Sequence, residues 1–183
     1  MRGEQGMFEA LTFRLFNLAG ADAPRTHWVH LRVVTDIEET PANQYRGDFW
    51  GLYLAVEEID GDFLKEHGLP DGNVYKIEGF QPHPQHHAKG TPAKDDDARE
   101  FLGALMRGGG RSRVPIAPGA DSWWSDTVDL DRYYGYRSVV EAAHHYDIGG
   151  GKNYFFYHNL AAKRWQVVPW DVDLSWGDHM FGD

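Results

Sequence analysis

The sequence contains no cysteine. Disulfide staples, thiolate zinc sites and a cysteine nucleophile are therefore excluded, while compartment stays open. It has no apolar run near the ~20 residues that cross a bilayer, so no membrane span is expected. Its start, MRGEQGMFEALTF, lacks the basic, apolar and small-residue succession of a secretory signal. Either the protein is cytosolic or its true start lies upstream. Basic residues are outnumbered, 18 Lys and Arg against 28 Asp and Glu, for a net charge of −10. Nucleic acid is not expected as a partner, because binding its backbone needs clustered Lys and Arg. A single nucleotide held through a metal remains compatible. There is no internal repeat and no G-x-x-x-x-G-K-[ST] phosphate loop.

What is present suits one domain with a real core: 183 residues, 42% apolar and 14% aromatic. Met7 to Gly20 places Phe8, Leu11, Leu15 and Leu18 at helical steps, with Gly20 as the stop. Trp28 to Val34 and Phe49 to Ile59 read as two antiparallel strands of a hairpin. DGDFLKEHG is a short Asp-capped helix, and NVYKIEGF a third strand. Gln81 to Asp97 reads as loop, and DAREFLGALMRGGG as a helix closed by glycines. RSRVPIAPGADSWW reads as an irregular linker. Asp129 to Tyr146 reads as the longest helix. DIGGGK is a tight loop, and NYFFYHN with RWQVVPW forms a hairpin around NLAAK. The order predicts an α+β fold rather than alternating βαβ units.

Two clusters carry chemistry. The first is PWDVD. Residues two apart on a strand point the same way, so Asp171 and Asp173 project together. Close carboxylates repel unless a cation lies between them, and Mg²⁺ prefers such oxygen donors, shared with phosphate. A bare D-x-D favours a solvated turn; the apolar lead-in and the flanking Trp170 and Trp176 bring a lined cleft level with that reading. The second cluster is HHYDIGGGKN. Asp147 can accept a hydroxyl proton, and Asn153 can offer its carbonyl oxygen to a metal. These are catalytic-loop roles in protein kinases, whose usual spelling is H-R-D, four residues, then Asn. Here five residues separate Asp147 from Asn153. One of His144 and His145 is expected to orient Asp147 by a hydrogen bond.

These residues resemble the CotH family of atypical protein kinases, named for a spore-coat protein. The likeness rests on GLYLAVEEIDGDFL (Gly51 to Leu64), GNVYK (Gly72 to Lys76) and DIGGGKNYFFYHNLAAKRWQVVPWDVDLSWG (Asp147 to Gly177). It implies an atypical kinase-like fold, with a sheet-rich part over residues 1–80 and a helical part over 81–183. ATP would lie between them, with Mg²⁺ or Mn²⁺. Asp147 matches the catalytic acid, Asn153 and Asp171 metal-holding positions, and Asp173 a partner. Asp171 then serves both catalysis and metal binding. Glu57, or Glu58, falls near the adenine, and Lys76 near the phosphates. Lys76 reads equally well as a solvated strand-end lysine. Family members extend on both sides of this stretch, so a fragment or reduced version is expected.

The resemblance implies a phosphotransferase acting on Ser or Thr of a protein, in a spore coat, at a cell surface or secreted. Two rivals stay open: a non-catalytic coat, adhesion or scaffold module, and metal-dependent phosphoester hydrolysis. Other features read as structural. His83, His86 and His87 sit in a Pro-rich loop. Asp95 to Asp97 complement a helix N-terminus. Trp123, Trp124, Tyr133, Tyr134 and Tyr136 read as packing.

Overall fold

The computed structural model describes residues 6–33, 49–109 and 120–177. The fold is mixed α+β, with five helices and two antiparallel sheets among the described residues. Helix α1 spans Met7–Leu18. Strands β1 (Thr26–Arg32) and β2 (Phe49–Val56) form a two-stranded sheet. Helix α2 (Gly61–Glu66) follows, capped by Asp60, whose side chain accepts from the Asp62 and Phe63 amides. Such a cap satisfies amides that have no partner within the helix. Strand β3 is Asn73–Glu78 and β4 is Gln81–His86. Three helices come next: α3 (Asp96–Gly109), α4 (Ala120–Thr127) and α5 (Leu130–Ala142). Strands β5 (Tyr154–Asn159) and β6 (Arg164–Pro169) close the described chain. The second sheet has the order β4-β3-β5-β6. Its central pair, β3 and β5, joins residues from both ends of the sequence.

Strands β3, β5 and β6 are largely buried, with core side chains on both faces of the sheet, while edge strand β4 is mostly exposed. Tyr75, Ile77, Phe156 and Trp165 point to one side and pack with Ala98, Phe101, Leu102 and Val128. Val74, Phe155, Tyr157 and Val168 point to the other and meet Ile59, Phe63 and Leu64 of the α2 region. A third cluster lies between α1 and α5: Phe13 and Phe16 pack with Tyr136, Val139, Val140 and Val172. Gly135 permits this approach, since a Cβ there would lie 2.3 Å from the Ala19 carbonyl oxygen.

Asp97 binds α3 to the sheet. It accepts hydrogen bonds from Tyr75 Oη (2.6 Å), Asn73 Nδ2 (3.0 Å), His158 Nδ1 (2.7 Å) and the Ala98 amide (2.8 Å). Burial pushes its carboxyl up, but the bonds from His158, Tyr75, Asn73 and Ala98 outweigh that and hold it well below the usual range.

Four expectations change. The α1 stripe is rotated: Leu11 and Leu18 are 45% and 66% exposed, and the buried residues are Thr12, Phe13 and Phe16. Apolar residues surround this helix, and the two phenylalanines carry more area than the leucines. Gln81–His86 is a strand rather than loop. Pro82 and Pro84 hid it, yet proline fits an edge strand, and β4 pairs with β3 alone. Part of the expected linker forms α4, while 110–119 lie outside the described residues. Finally, α5 ends at Ala142 and α3 is one residue longer than it, 14 against 13.

Candidate active site

The open end of the β5–β6 hairpin builds the site. Register pairs Tyr154 with Pro169. The next positions outward are therefore Asn153 and Trp170, joined by a 3.2 Å bond from the Trp170 amide to the Asn153 carbonyl. Asn153 and Asp171 both leave the sheet with left-handed backbones, φ 64° and 51°. A side chain in that region is uncommon and is often retained where a precise orientation matters. Lys76 lies on neighbouring β3, opposite Phe155, and pairs with Glu78 at 2.6 Å.

Asp147 reaches this end from the loop after α5. Gly150 and Gly151 take φ 73° and 69°, which fold the loop back. Gly151 also lies against the β3–β4 turn, where a Cβ would come within 2.5 Å of the Phe80 ring. The loop then ties itself together. Asn153 Nδ2 donates to the Asp147 backbone oxygen at 2.8 Å and to its carboxylate at 3.0 Å. Lys152 Nζ lies 2.8 Å and 3.0 Å from the two carboxylate oxygens. With Nδ2 spent on Asp147, Oδ1 of Asn153 is the atom left for a cation.

Asp171 and Asp173 have no ion-pair partner within 4.0 Å among the described residues. Asp171 is raised, first by burial, then by the charges of Asp173 and Asp147; Lys152 and Lys76 offset this only in part. A third carboxylate joins them. Burial, then Asp171 and Asp173, push Glu9 of α1 up to about 7. Glu9 was missed because the stripe through Leu11 and Leu18 pointed to another face of α1. Residues 9, 12, 13 and 16 share one helix face, and that is the buried face. It is fixed by Val172 packing with Phe13 and by a 2.8 Å bond from Trp176 Nε1 to Thr12 Oγ1.

Neither histidine orients Asp147. His144 takes φ 51° and its Nδ1 meets the Gly177 carbonyl at 2.9 Å. His145 is 1% exposed, and neither ring nitrogen has a hydrogen-bond partner among the described residues. Burial pulls its pKa down; the nearby Leu174 backbone, Asp147 and Asp173 pull the other way. The orienting role falls to Asn153 and Lys152, because α5 stops before the histidines and the chain turns there.

Glu57 stands apart from the acids. Its Oε2 accepts from the Arg25 amide at 2.9 Å and meets His67 Nε2 at 2.8 Å. Glu58 is exposed.

Hard oxygen donors whose mutual repulsion Lys152 and Lys76 offset only in part suit a divalent cation such as Mg²⁺. Among the described residues, no group of three or more acidic or histidine side chains is gathered closely enough to hold a metal ion. The donor chemistry fits, and final closure on an ion needs side-chain movement. Among the described residues, no helix is long and apolar enough to cross a membrane.

Inner spore coat protein H of Bacillus subtilis (strain 168) is 24% identical over 159 residues, covering 73% of this chain. The chain spans 39% of that relative's length. The model of the family described as CotH kinase protein matches residues 4–181. With nearly its whole length matched, from before α1 to beyond the PWDVD motif, this chain belongs to the CotH kinase protein family.

Proposed function

We propose that this chain is a phosphotransferase that moves the γ-phosphoryl group of ATP to a Ser or Thr hydroxyl of a protein. The observation that carries the reading is the hairpin end, where Asn153 and Asp171 emerge side by side and Asn153 holds Asp147 through two hydrogen bonds. Asp147 accepts the hydroxyl proton. The acceptor oxygen bonds to the γ-phosphorus as the bond to the β,γ-bridging oxygen breaks, and ADP leaves with that electron pair. Asn153, Asp171 and Asp173 would hold Mg²⁺ or Mn²⁺, which supplies charge neutralisation at the phosphate oxygens. Lys76, whose charge is felt at Asp171, is proposed on the phosphate side, and the backbone around Glu57 and Glu58 is the proposed adenine side. Little covalent chemistry falls to the protein; positioning and electrostatics supply the rate. The name of the Bacillus relative makes a coat or cell-surface protein the proposed acceptor. The test is transfer of labelled γ-phosphate to protein with Mg²⁺ or Mn²⁺, repeated with Asp171→Ala. Equal incorporation by the two forms would sink the mechanism.

A non-catalytic scaffold is the second reading. It is favoured by the lack of a closed ligand cage among the described residues and by the Lys152 clamp on Asp147. Calorimetric titration with ATP and Mg²⁺ separates the two readings, since a scaffold has no need to respond.

A further inference from the structure

Lys152 helps to orient Asp147, but the phosphotransfer reading gives its charge no part in the reaction. It follows the glycine turn, stands one residue before Asn153, and places Nζ within 3.0 Å of both Asp147 oxygens. Its side chain is 49% exposed. An exposed pair of this kind contributes little to stability, about 0–1 kcal/mol. Fold maintenance is therefore a poor reason for the contact. The pair also neutralises the carboxylate proposed to receive a proton, which is unhelpful in the reacting complex.

The electrostatics suggest where the ammonium goes. Glu9, Asp147, Asp171 and Asp173 make this end of the molecule strongly negative, hostile to a triphosphate without local cations. The basic residues felt by Asp171 are Lys152 and Lys76. Lys76 is bonded to Glu78 on its own strand. Both pairs are exposed, but Lys152 is the one that stands on the loop between Asp147 and Asn153.

We infer that Lys152 is the phosphate-binding cation of this site, held by Asp147 before nucleotide enters and transferred to the γ-phosphate oxygens of ATP when it does. The inference rests on the phosphotransfer reading and adds a catalytic residue to it. The exchange has two effects. It frees Asp147 to face the acceptor hydroxyl. It also sets a positive charge against the three γ-oxygens as the phosphorus transfers, where a preorganised donor is most effective. Lys152 keeps its proton throughout.

The test uses the full chain with Lys152→Ala, Lys152→Arg and Asp171→Ala. Thermal unfolding first checks that each is folded. Calorimetry then measures Mg-ATP and Mg-ADP separately, and labelled-phosphate transfer gives kcat and KM. For Lys152→Ala the expected result is ATP binding weakened by about tenfold or more with ADP affinity unchanged. Its kcat should fall by about 100-fold with acceptor KM unchanged, and Lys152→Arg should recover part of the loss. Equal loss of ATP and ADP affinity would overturn the inference, because contact with the γ-phosphate cannot produce it. So would normal ATP affinity and kcat in Lys152→Ala while Asp171→Ala is inactive; phosphotransfer would then stand without Lys152. A wild-type chain that neither binds Mg-ATP nor transfers phosphate removes both ideas together.

Discussion

Replacing Asp97 by alanine should be among the most damaging single changes outside the proposed active site. Its carboxylate accepts from Tyr75 Oη, His158 Nδ1, Asn73 Nδ2 and the Ala98 amide. Hydrogen bonds to a charged group contribute about 1.5–3 kcal/mol each when well placed. The side chain is 28% exposed, so water replaces part of what is lost. Tyr75, 0% exposed, has little such relief. The expected loss for Asp97→Ala is about 3–4 kcal/mol, measured by urea unfolding followed by tryptophan fluorescence. Tyr75→Phe alone should cost about 1 kcal/mol, and the double-mutant cycle should return a coupling of about 1–2 kcal/mol. The pH dependence has a definite sign. The folded carboxyl titrates below its ordinary 3.8, so the stability it confers is complete above that value and is lost as pH falls further. Wild type should therefore lose stability below about pH 4 more steeply than Asp97→Ala. A loss under about 1 kcal/mol for Asp97→Ala, or zero coupling to Tyr75, would refute the idea that this carboxylate anchors α3 to the sheet.

Three further outcomes follow from the same geometry. Trp165 stacks between Phe101 (4.4 Å, 4°) and His158 (4.1 Å, 11°), so Trp165→Ala should cost about 3–5 kcal/mol in urea unfolding. At Gly72 a Cβ would lie 2.3 Å from the His158 carbonyl oxygen, so Gly72→Ala should lose about 2–3 kcal/mol, visible as a lowered Tm. Glu9 has its folded pKa raised from 4.5 to about 7, so its effect is absent below 4.5 and grows destabilising as pH rises through 7. Glu9→Gln should accordingly be more stable than wild type by about 1–2 kcal/mol at pH 8 and equal to it at pH 4, by urea melts at both values.

The β5–β6 hairpin was readable because turn residues interrupt two apolar strands; its antiparallel register then sets Asn153 and Asp171 at one end. Asp60 was readable as a cap for the same local reason. Strand β4 was not, since Pro82 and Pro84 erase the strand pattern and pairing with β3 replaces it. Lys152 carries no signal in the sequence; the left-handed glycines turn its ammonium onto Asp147.

The sequence by itself determined the α+β class, most of the elements, the acids of the PWDVD motif and, by the order of its blocks, the family. These depend on side-chain periodicity, capping and turn chemistry, all of which act over a few residues. Tertiary structure alone decided which face of α1 is buried, and hence that Glu9 meets Asp171 and Asp173. It also decided that Asp97, an apparent helix-start acid, gathers Tyr75, Asn73 and His158. Such meetings join residues tens to more than a hundred positions apart. Only the mutual burial of α1, α5 and the two-faced sheet fixes them, and no local pattern encodes a distance of that kind.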